Sequence, residues 1–244
     1  MIDKIIIDYE KLKWDTDFFG FECGKIKVNN DLSEDDIYLI EQHCNLNRFT
    51  SIHSSSSSNN LFLLNKLDDS YLVDMPCRME KTLCDNTDQT YKGVIKRDML
   101  SKVEIERNLP RLLEIAGSAF QDGRFYRDMN ISSEKASLLY EKWLINALND
   151  NRNIVFSQNF DGFLIYNIHE NFIDIDLIAV DKERRGEGIG QNLINFIFHE
   201  AFKKDLTKIV VYTQFHNYKA INFYAKNLFK IVEISSIFHV WRNI

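Results

Sequence analysis

The stretch Val180-Asp181-Lys182-Glu183-Arg184-Arg185-Gly186-Glu187-Gly188-Ile189-Gly190 decides the reading of this chain and holds three of its nine glycines. Ahead of it, residues 173–180 alternate Ile173, Asp174, Ile175, Asp176 and then turn continuously apolar. That is the pattern of a strand running from an exposed end into a buried centre. Behind it, Ile189, Leu193, Ile197 and Ala201 fall on one helical face and Ile194, Phe198 and Phe202 on the adjacent one, which predicts a helix over 188–203. A buried strand therefore ends in a glycine turn that opens a helix. Glycine permits positive φ and close approach of a ligand to the backbone. The first N–H groups of a helix are unpaired, and with the macrodipole they form a site for an anion such as a pyrophosphate. Arg184 and Arg185 add fixed positive charge. A turn that only lets strand and helix pack closely has the same local sequence. No Gly-Lys-Ser/Thr follows, and Gln191 stands five after Gly186, so neither the P-loop nor the dinucleotide fingerprint fits.

Outward from this turn, residues 153–157 and 162–168 read as strands with Asp161-Gly162 as a turn signal between them, and 208–213 as a strand after the helix. Residues 110–120 read as a helix with Pro110 in its first turn, and Ser132 or Ser133 caps another that runs to about 148. A short helix over 218–227 and two final strands, 229–235 and 237–241, complete this part. Earlier, 34–43 reads as a helix, the serine-rich run 54–60 as a loop, and 71–83 as a strand interrupted by Pro76. A polar break near 85–93 suggests two units, 1–92 and 93–244, with no internal repeat in residue identity. The class is α/β with a mixed sheet.

Composition narrows the function. Lys plus Arg is 30 against 36 for Asp plus Glu, a formal net charge of −6, so there is no basic footprint for nucleic acid. Cys23, Cys44, Cys77 and Cys84 show no CxxC spacing, and no metal site is expected. Reduced cysteines, no apolar run near the ~20 residues that cross a bilayer, and no signal-peptide core lead us to expect a cytoplasmic protein without a membrane partner.

Arg185-x-x-Gly188-x-Gly190 after a strand ending at Val180 resembles the acetyl-coenzyme A signature of the GNAT superfamily of N-acetyltransferases. Asn217-x-x-Ala220-x-x-Phe223-Tyr224 after the next strand, and the closing Phe238-His239-Val240-Trp241, resemble the same family in the same order. One departure is that Tyr224 is followed by Ala225, Lys226, Asn227, Leu228 and Phe229 rather than by a Leu-Gly-Phe turn, which leaves Asn227 to take the left-handed position. Leu12-Lys13-Trp14-Asp15-Thr16-Asp17-Phe18-Phe19-Gly20, Leu72-Val73-Asp74, Arg124-Phe125-Tyr126-Arg127-Asp128 and Tyr140-x-x-Trp143 are similar to the TDP-fucosamine acetyltransferase group. That resemblance implies a GNAT acyl-CoA N-acyltransferase fold with an N-terminal GNAT-like half-domain. It also implies acetyl-CoA or another acyl-CoA as co-substrate, 3-hydroxybutyryl-CoA among them. The acceptor it implies is a nucleotide-linked 3- or 4-amino-dideoxy sugar used for surface polysaccharide.

The resemblance also implies roles. Ile178 and Val180 would offer backbone groups to the pantetheine where the strand splays after Val180. Arg185, Gly186, Gly188, Ile189 and Gly190 would hold the pyrophosphate, and Asn217 the pantetheine arm, although Asn217 equally suits a helix cap. Tyr224 would protonate the departing thiolate, although an amphipathic helix also uses such an aromatic as core. Asp176, sharing a strand face with Asp174, would act as base, with His216 and His239 as further options. Arg124, Trp14 and Phe125 would meet the sugar nucleotide. Acceptors of another kind (a protein N-terminus, lysine or polyamine) and a non-catalytic coenzyme A-binding module remain open, and a homodimer is the base-rate expectation.

Overall fold

A computed structural model describes residues 7–55, 57–83 and 90–242. Its centre is one mixed sheet, in the order β1-β2-β3-β11-β5-β10-β9-β8-β7-β6, with β4 pairing β11. The strands are β1 (Ile7–Lys11), β2 (Cys23–Val28), β3 (Phe49–Ser55), β4 (Ser70–Asp74), β5 (Pro76–Thr82), β6 (Val94–Lys96), β7 (Asn153–Ser157), β8 (Gly162–Ile168), β9 (Phe172–Val180), β10 (Lys208–Gln214) and β11 (Lys230–Trp241). The helices are α1 (Lys13–Phe19), α2 (Glu34–Cys44), α3 (Ser58–Leu64), α4 (Lys102–Ala119), α5 (Arg124–Arg127), α6 (Ser133–Asn149), α7 (Ile189–Lys203) and α8 (Tyr218–Lys226).

The same unit occurs twice. β2-α2-β3-α3 leads into the successive strands β4 and β5, and β9-α7-β10-α8 leads into β11. Both units hold a parallel pair, β2 with β3 and β9 with β10. Each half then sends its last strand into the other. β5 lies between β10 and β11, and the second part of β11 lies between β3 and β4. The two halves are therefore joined by backbone hydrogen bonds as well as packing. The division near 92 falls on the connection from β5 to β6, of which residues 84–89 lie outside the described residues.

Helices cover both faces. α7 packs Leu193, Ile194, Ile197 and Ala201 with Ile173, Ile175, Ile209 and Val211 on one side of the C-terminal sheet. α4 and α6 pack Leu112, Ala116, Leu144 and Ala147 with Leu177 and Ala179 on the other. α2 and α3 cover one face of the N-terminal sheet through Ile40, Leu63, Leu64, Ile26, Ile52 and Phe238.

Four sequence expectations change. The serine-rich run is the end of β3 and the start of α3, with Ser57 accepting from the Asn60 N–H as an N-cap; residue 56 lies outside the described residues. Pro110 sits inside α4, because a Ser101–Glu104 capping box starts the helix at Lys102, eight residues earlier than the proline suggests. The last two strands are one, β11, with a register shift near Ile231–Glu233. Asn227 keeps a negative φ, and Leu228 takes the left-handed position at φ 66°. Among the described residues no helix is long and apolar enough to cross a membrane, and no group of three His, Cys, Asp or Glu is placed to hold a metal.

Candidate active site

The glycine turn is open. Gly186 has φ 89° and Gly188 φ 82°, and a Cβ on either would meet nothing within 4 Å. Backbone conformation, not crowding, thus calls for glycine there. Gly188 is the N-cap of α7 without a side-chain cap bond, and the first N–H to find a backbone acceptor is Asn192, on the Gly188 carbonyl at 3.0 Å. The N–H groups of Ile189, Gly190 and Gln191 are left to a ligand. Arg185 is exposed, its Nε donating to the Val180 carbonyl at 3.2 Å. Arg184 folds back onto Glu187 instead, its Nε 2.9 Å from one carboxylate oxygen. At the corresponding end of the N-terminal half, α2 opens on a Ser33–Asp36 capping box with Glu34, Asp35 and Asp36 in its first turn. Those carboxylates already satisfy the helix terminus and repel an anion.

The sheet is open beside the same turn. β10 pairs with β9 only over Lys208–Val211 against Phe172–Ile175. Beyond that, Asp176–Val180 keep only β8, and Tyr212–Gln214 keep only β5. The opening begins at Asp176, rather than after Val180. A bulge at Asp176 marks it: Tyr166 partners Ile175 and Ile165 partners Leu177. The extra residue reverses the alternation. Ile175 packs under α7, Leu177 and Ala179 pack under α4 and α6, and Ile178 and Val180 return to the α7 side. The edge of 176–180 can receive a chain that carries amides, as a sheet edge receives a strand. In the N-terminal half β2 and β3 pair throughout, Cys23–Val28 against Phe49–Ser54. Of the two parallel pairs, only β9–β10 has parted.

α8 closes one side of the opening. Asn217 caps it, accepting from the Ala220 N–H at 3.1 Å. Tyr224 is buried against Phe223 and Phe229, and burial pushes its hydroxyl pKa up, so it stays protonated. Phe223 reaches the turn itself, at 3.6 Å from where a Cβ on Gly190 would lie. Two contacts that sequence reading missed fix the end of α8, one against α7 and one against β5. Gln191 Nε2 donates to Asn227 Oδ1 at 2.6 Å, and the buried Lys81 donates to the Asn227 carbonyl at 3.1 Å. Lys81 comes from β5, so the N-terminal half caps a helix of the C-terminal half with positive charge.

The remaining predicted residues separate. Asp176 is engaged twice, by Arg152 at 2.9 Å and by Trp143 Nε1 at 3.1 Å. Trp14 is exposed and stacks on Phe18. Phe125 is buried between Phe19 and His239, with the Arg124 guanidinium over its ring at 4.7 Å. Arg124 is half-buried and without an ion pair among the described residues. Its charge acts on Asp15, Lys25, His53, Asp74 and His239, which places it over the junction of the halves. His216 faces the Asp122 carbonyl at 3.0 Å, and His239 is buried with Nδ1 2.6 Å from Asp128.

Residues 114–228 match the model described as the Acetyltransferase (GNAT) family. The chain is 25% identical over 134 residues to the spore coat polysaccharide biosynthesis protein SpsD of Bacillus subtilis, a match that covers 53% of this chain and 46% of that protein. The chain thus spans about half the length of this curated relative. Among solved structures, a functionally unknown conserved protein from Staphylococcus epidermidis is similar at TM-score 0.65 and 12% identity, covering 99% of this chain and 98% of its own. A GCN5-related N-acetyltransferase from Sphaerobacter thermophilus is similar at TM-score 0.61 and 12% identity, covering 89% and 73%. At these identities the structural likeness shows the fold.

Proposed function

Because the chain carries a GNAT acetyltransferase domain, we propose that it moves an acyl group from acetyl-CoA or another acyl-CoA to the amine of a nucleotide-linked amino-dideoxy sugar. One observation carries the donor half of this reading: the β9–β10 pair parts beside an uncapped glycine N-terminus, while the corresponding pair in the N-terminal half stays closed and acid-capped. The pyrophosphate then lies on the N–H groups after Gly188, near Arg185. The pantetheine runs along the free edge of 176–180 and presents its thioester near Tyr224. Asn217 keeps its amide nitrogen for that arm while its oxygen caps α8.

Direct attack is the chemistry that suits these groups. Cys23 and Cys44 are buried outside this opening and burial pushes both thiols up to about 12; Cys77, paired with Thr213 beside the opening, is also buried and its thiol is raised by burial, so none of the three supplies a thiolate to carry the acyl group. Tyr224 gives its proton to the departing coenzyme A thiolate. On reference values that transfer is uphill by about 2 kcal/mol, a small step when concerted with C–S cleavage. The burial that raises Tyr224 raises a thiolate in the same place as well.

The acceptor half rests on the sequence motifs around Trp14, Asp74 and Arg124 and on the partial match to a polysaccharide biosynthesis protein. Arg124, held over Phe125 at the junction of the halves, is the group suited to a sugar diphosphate. The test is thiol release from acetyl-CoA, then from 3-hydroxybutyryl-CoA, with dTDP- and UDP-linked 3- and 4-amino-6-deoxy sugars, and with peptides and polyamines as controls. Release with one sugar nucleotide is expected; release only with a peptide or polyamine would replace the acceptor.

A further inference from the structure

Lys81 sits where a lysine is costly. On β5 it shares a face with Cys77 and Met79, which pack in the core under α7, and it is 4% exposed. Its Nζ lies 3.9 Å from the centre of the Phe198 ring of α7. Burial alone lowers its pKa, and no carboxylate among the described residues acts on it. An ammonium taken out of water without a counter-ion is unfavourable, and a methionine would fill the same space without that penalty. The one hydrogen bond of Lys81 goes to the Asn227 carbonyl, at 3.1 Å, where α8 ends.

Asn227 is a junction. Its N–H donates to the Tyr224 carbonyl at 3.0 Å, and the Phe229 N–H meets that same carbonyl at 3.0 Å. Its Nδ2 donates to the Phe223 carbonyl at 2.9 Å. The same side chain pairs with Gln191 in both directions, accepting from Nε2 at 2.6 Å and donating to Oε1 at 3.2 Å. Gln191 stands in the first turn of α7, and its own N–H is one of those left to a ligand. A continuous run of bonds therefore leads from the anion end of the donor site to the backbone of Tyr224. Lys81 anchors that run on the N-terminal half.

The end of α8 needs an anchor. The helix has nine residues, and Tyr224 is its one buried side chain. So short a helix is held by its tertiary contacts rather than by its own ladder. The chain then leaves it through Leu228 at φ 66°, an unfavourable conformation for a branched residue.

We propose that Lys81 and Asn227 are positioning residues for the transfer, fixing the end of α8 so that the Tyr224 hydroxyl meets the departing sulfur. The inference rests on the role of Tyr224 proposed above, and it makes the acid of the C-terminal half depend on a lysine of the N-terminal half. Without Lys81 the Asn227 carbonyl is buried with no side-chain donor, and the end of α8 shifts to find one. A displacement of about 1 Å at a reacting group is enough to lower a rate by roughly 10²-fold.

Two measurements test this. The first is steady-state kinetics with acetyl-CoA and the amino-sugar nucleotide for Lys81→Met, Tyr224→Phe and the double variant. Lys81→Met should keep the coenzyme A affinity and the donor KM and lose roughly 10- to 10²-fold in kcat. In the Tyr224→Phe background the same substitution should cost nothing further, because the group it positions is gone. Asn227→Ala, which frees Gln191 but keeps the carbonyl that Lys81 meets, should follow the same pattern, and it carries the test if Lys81→Met does not fold. An unchanged kcat, or losses that multiply in full in the double variant, overturns the proposal.

The second measurement needs no acceptor. Hydrogen exchange of the full chain, read by mass spectrometry, should be about tenfold faster over residues 218–229 in Lys81→Met, with α2 and β2 as in the wild type. Equal exchange over 218–229 overturns the anchor. If the wild-type chain acylates no acceptor, the function proposed above falls and takes the positioning of an acid with it, while the exchange result still decides whether Lys81 holds α8.

Discussion

Asp128 accepts the Nδ1–H of His239 at 2.6 Å across more than a hundred positions of sequence. The same carboxylate accepts from Trp241 Nε1 at 3.0 Å, from the Asn130 N–H at 2.9 Å and from the Tyr71 hydroxyl. It therefore fastens α5, which carries Arg124, to β4 and to the exchanged strand β11. Burial pushes the Asp128 carboxyl up, but the bonds from His239 and Tyr71 outweigh it and hold the group below the usual carboxylate value. Asp128→Ala leaves several donors buried without an acceptor. We expect a loss of about 3 kcal/mol in urea unfolding, with no change in the slope. A loss below ~1 kcal/mol would mean that the halves are held chiefly by strand exchange.

Acid should weaken the fold in a definite window. Burial lowers the His239 pKa, and Arg124 lowers it further, against the opposing bond to Asp128. His239 is thus neutral when folded, with Nδ1–H facing Asp128. The unfolded histidine takes up a proton below about pH 6.5, so this contribution is intact above that pH and is lost as the pH falls towards the folded value. The expected slope from His239 is about 1.4 kcal/mol per pH unit. His53, also lowered by burial, acts in the same direction. Thermal unfolding between pH 8 and 5.5 reads this directly; a flat profile contradicts a neutral buried His239.

Leu228 is 70% exposed and sits at φ 66° where α8 hands over to β11. A left-handed backbone costs a branched residue roughly 1–2 kcal/mol, and the exposed side chain offsets little of it. Leu228→Gly should therefore stabilise the protein by about 1 kcal/mol, read as a higher unfolding midpoint. Destabilisation would show that Leu228 packs on something in solution.

The donor site separates binding from chemistry. Gly188→Asp places a strained residue and a carboxylate where the N–H groups of α7 point, and should abolish measurable coenzyme A binding in a calorimetric titration. Tyr224→Phe should keep that affinity and lose roughly 10²- to 10⁴-fold in kcat. Equal losses in affinity and turnover for Tyr224→Phe would contradict its role as the acid.

Much of the C-terminal half was legible because its signals are local. Alternation in 173–180 and helical spacing in 189–201 are read from neighbouring residues, and so is the glycine turn between them. The strand exchange was not legible, since β5 and β11 pair with partners more than a hundred positions away. A run such as Ser54–Asn60 carries turn chemistry whether it bends, caps or pairs; here tertiary pairing kept β3 going to Ser55 and Ser57 became a cap. Pro110 misled for a related reason, because the Ser101–Glu104 capping box and the burial of Leu112 and Ala116 hold α4 together around it. On the acceptor side, the sequence pointed to Arg124. The face it stands over is assembled from Lys25, His53, Asp74 and His239, whose meeting depends on register between exchanged strands.

The central claim is transfer of an acyl group to a nucleotide-linked sugar amine, and a competition tests it most directly. The protein is given limiting acetyl-CoA and an equal mixture of an amino-sugar nucleotide, a lysine peptide and a polyamine, and mass spectrometry identifies what carries the acyl group. The account predicts the acyl group on the sugar amine. An acylated peptide or polyamine with the sugar nucleotide untouched would contradict it.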